Sequence, residues 1–389
     1  MKYVSIVFFV AILMLSSGCM KREPKATSQY ITIQPGTTTI PTYPNISDDP
    51  STDPILTMPV FDESQLYSPY LGGAYASNST LHRFINKMVA KHNFNRNYLY
   101  GLFSTVSRDT KALDKYGVYR AKPKITKLSR PGEWDRYRKQ FITPSRIGKG
   151  IQFWKENRHY LEKAARQYGV APEYIVGIIG VETNFGSYTG DHKVLDALTT
   201  LSIEYRKRSK FFIDQLENYL LLTREQKIDP RSIRGSYAGA FGLAQFMPDS
   251  FREYGVDHDE DGRVNLFNKA DAIGSIANFF VKKGKWNPHI PVAVLTRYPK
   301  PRFYGLSTGG KTSYSQSHLY ALGMRPINNF YGYKGNVSLI KLNRYNRDEL
   351  WWATPNFYSI MRYNPKEYYA MAVHQLAQAI RINYYQSLQ

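Results

Sequence analysis

The chain has 389 residues, a formal net charge of +21 at pH 7, 32 tyrosines and a single cysteine. That length buries a large core and suits one sizeable catalytic unit with subdomains, while a lone cysteine excludes an internal disulfide framework. Positive charge mixed with aromatic side chains gives a non-specific attraction for polyanions, not a mechanism.

Met1-Lys2 is a basic start, Val4 to Leu15 is an apolar run, and Ser16-Ser17-Gly18-Cys19 supplies small residues before the cysteine. Residues 1–18 therefore read as a secretory signal, too short to cross a bilayer as a mature helix. Export argues against nucleic acid as a partner and leaves cell-wall polymers and membrane surfaces, with tyrosines suited to sugar rings. The cysteine directly after the small-residue site resembles a bacterial lipoprotein signal. That pattern implies that Cys19 becomes the lipidated mature N-terminus, although Ser16 stands where it prefers an aliphatic residue. Residues 19–60 read as a tether. Pro35, Pro41, Pro44, Thr37-Thr38-Thr39 and the Asp48 to Pro54 stretch carry no apolar period.

The globular region is expected over 61–389. Leu81 to His92 has an amphipathic helical pattern, and Lys122 to Gln140, with Pro123, Pro131 and Gly132, is mostly loop. Ser145 opens a helix over about Ile151 to Tyr168, and Pro172 opens another. Further helices are predicted at Val194 to Ser202, Arg208 to Glu225, Asp271 to Lys283 and Tyr368 to Tyr384. Between about 290 and 351 short apolar pieces, Val292 to Leu295 and Val337 to Leu342, are spaced by Gly, Pro and Asn and predict a small antiparallel sheet. The fold class is mainly α (α+β) with a small β-sheet insertion and no internal repeat.

Glu182 is the informative residue of the Pro172 helix. At helical spacing it shares an apolar stripe with Ile175, Ile178 and Ile179. Such surroundings favour a protonated carboxyl, the form that glycosidic bond cleavage needs for its leaving group. Gly186 is expected to end the helix and set the acid at a cleft rim. A buried structural carboxylate is the alternative. The second stretch, Gly235 to Pro248, is dense in small residues that let a backbone approach a helix or a ligand closely. There Ser236 and Gln245 suit sugar hydroxyls or acetamido groups, with Phe246 and Met247 as an apolar platform; tight helix packing is the alternative. A third stretch, Asp257 to Asn265, alternates oxygen ligands Asp257, Asp259 and Asp261 before Gly262, as an EF-hand calcium loop does. Asn268 replaces the usual Glu at the twelfth position, and Arg263 offers only its carbonyl.

Gly180-Val181-Glu182-Thr183-Asn184-Phe185-Gly186, Gly235 to Ala240, Ala244 to Pro248, Trp134-Asp135-Arg136-Tyr137, Phe141 to Pro144, Asn356-Phe357-Tyr358 and Arg362-Tyr363-Asn364 together resemble the membrane-bound lytic transglycosylase B family. The resemblance runs from about Leu81 to the C-terminus. It implies a lysozyme-like α core with flanking α and β subdomains, acting on peptidoglycan glycan strands as a monomer. By the same resemblance Glu182 is the single catalytic acid and base. Tyr137, Ser236, Gln245, Phe246, Met247, Tyr363, Asn364 and Tyr369 match residues that line the glycan groove, with Phe279 where the pattern often has tyrosine. The family's lengthened metal loop, here 257–271, takes its last ligand from the place of Asp271. A structural calcium ion is implied, held by Asp257, Asp259, Asp261, the Arg263 carbonyl and Asp271, with no cofactor in the chemistry. The implied location is the cell envelope, as an outer-membrane lipoprotein facing the periplasm. A hydrolytic muramidase on the same fold, using a second acid among Asp191, Asp196 and Glu204, and a non-catalytic wall-binding lipoprotein are the competing readings.

Overall fold

Capping side chains decide where the first helices begin. A computed structural model of the chain describes residues 61–118, 131–299, 303, 305–328, 330 and 332–389. The signal, Cys19, the tether and residues 122–130 of the Lys122 to Gln140 stretch lie outside the described residues. Asn78 accepts backbone N–H bonds from Thr80 and Leu81 to open α1 (Ser79–His92). Asn95 and Asp109 do the same for α2 (Arg96–Ser104) and α3 (Thr110–Tyr116), neither of which the apolar pattern had suggested. After α4 (Glu133–Arg138), Thr143 caps α5 (Pro144–Glu156). The single helix expected as far as Tyr168 is in fact two. Asn157 leaves helical geometry and donates its side-chain amide to the Phe153 carbonyl at 2.8 Å, so the chain restarts as α6 (Arg158–Tyr168).

Next come α7 (Pro172–Thr183), α8 (Val194–Glu204), α9 (Ser209–Glu225), α10 (Pro248–Tyr254) and α11 (Lys269–Lys282). Then follow α12 (Gln316–Ala321), α13 (Pro355–Tyr363) and α14 (Glu367–Gln386). Two short strands, β1 (His192–Lys193) and β2 (Arg234–Gly235), pair antiparallel with His192 opposite Gly235.

By packing, the chain forms two units. Among the described residues, the larger holds 61–118, 138–283 and 372–389, and the smaller holds 131–137 and 284–371. In the larger unit α7 is the central helix. Every residue from Tyr174 to Val181 is buried, so the predicted apolar stripe is instead a helix enclosed on all sides. Glycines make that enclosure possible. A methyl group on Gly177 would lie 3.2 Å from both the Ala377 Cβ and the Val373 carbonyl of α14. The Tyr174 hydroxyl pairs with His374 Nδ1 at 3.0 Å and accepts a hydrogen bond from Gln378 at 3.2 Å.

The smaller unit holds the predicted sheet. Strands β3 (Ala293–Arg297), β4 (Arg325–Pro326), β5 (Ser338–Asn343) and β6 (Asp348–Ala353) form an antiparallel sheet in the order β4-β3-β6-β5. Trp352 of β6, fully buried, sits opposite Val294 on one side and Leu339 on the other, and packs with Leu319 and Met324. Cross-strand contacts of this kind are the unit of sheet stability. Strand β6 carries Asp348 and Glu349 at its start, which hid it from a search for apolar runs.

A buried carboxylate ties α9 to α1. Glu217 takes hydrogen bonds from Lys87, from Lys91 at 3.0 Å and from His92 at 2.7 Å. Burial alone would raise its pKa, but the bonds from these cations hold it down at about 2. Because the folded value is depressed, the stability Glu217 contributes is present above its unfolded value near 4.3 and is lost as pH falls toward 2. Glu217→Gln is expected to lower the melting temperature at pH 7 by a few degrees and to flatten its fall between about pH 4.5 and 2. Thermal unfolding followed by circular dichroism across that range checks both.

Candidate active site

Glu182 occupies the last turn of α7, half-buried where its neighbours Val181 and Thr183 are buried. The helix stops two residues earlier than the glycine had suggested. Asn184, at φ 50°, is the left-handed cap, and Phe185 and Gly186 continue with φ of 60° and 81°. Asparagine tolerates that conformation and glycine favours it. The Ile179 carbonyl gathers the Asn184 N–H, the Phe185 N–H and the Thr183 hydroxyl, the last at 3.1 Å. Thr183 also receives the Gly186 N–H on its hydroxyl at 3.0 Å and the Tyr188 N–H on its carbonyl at 3.1 Å. Arg146 of α5 donates to the Asn184 side-chain oxygen at 3.2 Å.

From this turn the chain runs straight into the second predicted stretch. Gly190 crosses the backbone of Gly235 and Ser236 so closely that a Cβ there would lie 2.1 Å from the Gly235 carbonyl carbon. Gln245 closes the junction. Its amide nitrogen donates to the carbonyls of Thr189 and Gly242, both at 2.9 Å. Since both partners are carbonyl oxygens, the amide orientation is fixed and Oε1 remains as the acceptor. Gln245 holds a φ of 48°, a left-handed conformation that these two bonds help maintain.

Ser236 is buried, and its hydroxyl oxygen accepts the backbone N–H groups of Ala238 at 3.3 Å and Ala240 at 3.1 Å. It thus organises its own glycine turn and keeps only its hydroxyl proton for other use. Phe246 and Met247 are both buried, so they form a floor beneath the loop rather than an exposed platform. Behind that floor stands Phe279, 5.7 Å from the Phe246 ring and edge-on to Tyr254 at 5.0 Å. Glu182, Ser236, Gln245, Phe246 and Met247 therefore share one unit.

The three other carboxylates have structural partners. Glu204 binds Arg108 through two bonds of 2.7 Å and accepts the Tyr75 hydroxyl, also at 2.7 Å. Buried Asp196, in the first turn of α8, is raised in pKa by burial and opposed by the Ser107 amide. Asp191 accepts the Tyr188 hydroxyl at 3.3 Å from an exposed position.

The remaining predicted residues, Tyr137, Tyr363, Asn364 and Tyr369, belong to the smaller unit. Tyr137 is half-buried, with its ring 6.0 Å from Trp134 and 5.7 Å from Tyr368. Tyr363 and Tyr369 are buried. Asn364 caps α13, and its side-chain oxygen is buried with no hydrogen-bond partner, an expensive state that a ligand donor would relieve.

In the acidic loop, Asp257, Asp259 and Asp271 each bring an oxygen within 4.8 Å of the others. Asp271, on the first turn of α11, accepts the backbone N–H groups of His258 and Asn265, both at 2.7 Å. Burial outweighs those bonds and pushes its pKa up to about 7. One oxygen of Asp259 is buried without a partner while the other takes the Asn268 amide. Converging carboxylates and an orphaned oxygen fit a hard divalent cation with oxygen ligands. Asp261 stands outside this group of three, its Oδ1 occupied by the Arg263 N–H at 2.8 Å.

Sequence reasoning passed over Thr189 and Gly190, which join the two motifs. The signal was the Tyr188-Thr189-Gly190 run, a glycine between two predicted elements whose φ of 106° few other residues adopt.

The profile described as the transglycosylase SLT domain matches residues 76–378. The membrane-bound lytic murein transglycosylase B of Escherichia coli (strain K12) is 42% identical over 313 residues, covering 80% of this chain and 85% of that protein. The solved structure of the Escherichia coli lytic transglycosylase Slt35 in complex with calcium aligns with a TM-score of 0.74 and 42% identity, over 81% of this chain and 96% of that one. The same enzyme in complex with bulgecin A aligns at 0.73 with equal identity and coverage.

Gly190→Ala is expected to lower the melting temperature and weaken any activity of the site together. The added methyl meets backbone 2.1 Å away at a strained φ, a clash worth about 2 kcal/mol or more. Calorimetric melting of the variant beside Gly186→Ala, whose methyl has space at a left-handed φ of 81°, separates the clash from left-handed strain.

Proposed function

Because the chain belongs to the transglycosylase SLT domain family, we propose that it is a lytic murein transglycosylase of the cell envelope that uses Glu182 as its one acid and base. The bond cleaved is the β-1,4 link from N-acetylmuramic acid to N-acetylglucosamine. The observation that carries this reading is a carboxylate at the open end of a helix buried on every other side, beside a loop whose Gln245 acceptor is locked in place.

Glu182 first delivers its proton to the bridging oxygen as the C1–O4 bond breaks, so the leaving sugar departs as an alcohol. The oxocarbenium-like charge at C1 is met by the substrate's own acetamido oxygen or by nearby dipoles. The ionised Glu182 then takes the proton from the muramoyl O6 as O6 bonds to C1, and a 1,6-anhydro ring closes. The protonated acid is regenerated and no water is consumed. An internal nucleophile removes the need for the second carboxylate that ordinary glycosidases require. The structural partners of Asp191, Asp196 and Glu204 favour this single-acid route over hydrolysis.

The Gln245 oxygen suits a sugar hydroxyl or acetamido N–H, and the Ser236 proton and the Phe246–Met247 floor suit the rest of the ring. For Tyr137, Tyr363, Asn364 and Tyr369 we propose glycan contacts as well, with the unpartnered Asn364 oxygen as support. We assign the 257–271 loop to a structural calcium ion held by the carboxylates of Asp257, Asp259 and Asp271, with Asp261 and the Arg263 carbonyl completing the set. Such an ion would neutralise these carboxylates and steady the loop. Anchoring is assigned to a lipid on Cys19 at the outer membrane. Among the described residues no helix is long and apolar enough to cross a membrane.

Glu182→Gln is expected to lose at least roughly 10²-fold to 10⁴-fold in turnover while its melting temperature and its binding to sacculi stay unchanged. Mass spectrometry of muropeptides released by the unaltered chain should find anhydro ends. Reducing ends would assign hydrolysis, and activity in the variant would move the acid to another residue. Calcium at a hundredfold excess over its Kd should stabilise the unaltered chain by about 2.7 kcal/mol. The Asp257→Ala, Asp259→Ala double variant should show no calcium-dependent change in melting.

A further inference from the structure

We propose that Phe185 is a positioning residue whose ring, wedged between Gly150 and Gly180, fixes the turn at the end of α7 and so the placement of Glu182. The inference rests on the reading of Glu182 as the acid. Its starting point is backbone strain. Left-handed geometry at Phe185 (φ 60°) costs about 1–2 kcal/mol that the flanking Asn184 and Gly186 largely escape. A conformation of that kind persists only where packing over-determines it.

The packing is visible. The tip of the Phe185 ring lies where a methyl group on Gly180 would be 2.7 Å away, and one on Gly150 would be 3.0 Å away. Phe153 of α5 flanks it at 5.7 Å between ring centres. The ring thus folds back onto the helix it has just left and fills a notch that exists because two residues on two helices lack side chains. Leu376 and Ile380 of α14 close in on the same two glycines, with Cδ2 and Cδ1 at 3.0 and 2.4 Å from the added methyl positions. Two residues separate this anchor from Glu182, and the Phe185 N–H to Ile179 carbonyl bond at 3.4 Å runs back across them. With the ring seated, the last turn cannot unwind toward the loop. Without it, the turn is left to the cap hydrogen bonds on Thr183 and Asn184.

Misplacement of a catalytic group by about 1 Å costs up to about 10²-fold in rate with little change in substrate affinity. Phe185→Ala is therefore expected to lower kcat about 10-fold to 100-fold, while KM on isolated glycan strands stays nearly unchanged and thermal unfolding shows a folded protein. Phe185→Leu, which refills most of the notch, should recover most of the lost kcat. Phe185→Gly separates strain from wedge, since it relieves the φ penalty yet removes the ring; it should behave like Phe185→Ala. Gly180→Ala, which pushes the ring out without deleting it, should also lower kcat, and it decides the matter should the Phe185 variants melt below the assay temperature. An unchanged kcat in folded Phe185→Ala, wild-type kcat in Phe185→Gly or Gly180→Ala, or a loss confined to KM would each overturn the proposal. Glu182→Gln measured alongside keeps the two readings apart, because turnover in that variant refutes the acid assignment and not the wedge.

Discussion

Helix α7 is buried at every residue from Tyr174 to Val181, and its last turn is where a half-buried polar group meets the end of that enclosure. Within the helix the backbone satisfies its own hydrogen bonds, so burial costs nothing there. At the C-terminus the final carbonyls lack helical partners, and a buried end must find them elsewhere. Here the Ile179 and Thr183 carbonyls are satisfied by a left-handed cap and by the Tyr188 N–H. The chain that follows is therefore committed to a tight path, and that path carries it from Glu182 to the glycine loop. Most of what the site can do follows from this one termination.

The junction between the two motifs is built from backbone more than from side chains. Gly190 against Gly235, the His192–Gly235 pairing and the Gln245 amide on the Thr189 carbonyl hold two irregular segments at contact distance. Short bridges from Gly235 to Phe241 and from Phe241 to Phe246 give the second segment regularity without a true strand. Rigid placement by this means leaves the Gln245 oxygen and the half-buried end of α7 as the chemical surface. His192 adds a lateral brace through Asp109 at 2.6 Å, which ties β1 to the cap of α3.

The acidic loop packs against α11 and is tied to α6. His258 packs against Gly274 so closely that a Cβ at that glycine would lie 2.5 Å from the imidazole. Lys163 of α6 bonds both the His258 carbonyl at 2.7 Å and Glu260 at 2.6 Å. A cation among Asp257, Asp259 and Asp271 would neutralise charge that burial makes costly and would fasten this loop between α6 and α11. The net charge of +21 is a separate matter of long-range, non-specific attraction for polyanions.

Residue types and their spacing were enough to read the mainly α class, the small antiparallel sheet, the helix at Pro172 and the belonging to a transglycosylase family. These are local matters, set by apolar period, by proline and glycine at element ends, and by motifs contiguous in the chain. Short helices such as α2 and α3 escaped because each is too short to repeat its apolar pattern, even though α2 buries Tyr98, Leu99, Leu102 and Phe103 on one stripe, and β6 escaped behind its leading acids. Tertiary structure alone decided that α7 is wrapped on all sides, that Asn184 and not Gly186 ends it, and that Phe185 turns back into a notch of two glycines. It also decided that Ser236 spends its oxygen on its own turn while Gln245 keeps an acceptor to offer. The physical reason is common to all of these: each depends on which atoms from distant parts of the chain occupy a given few ångströms, and a linear pattern carries no record of that neighbour.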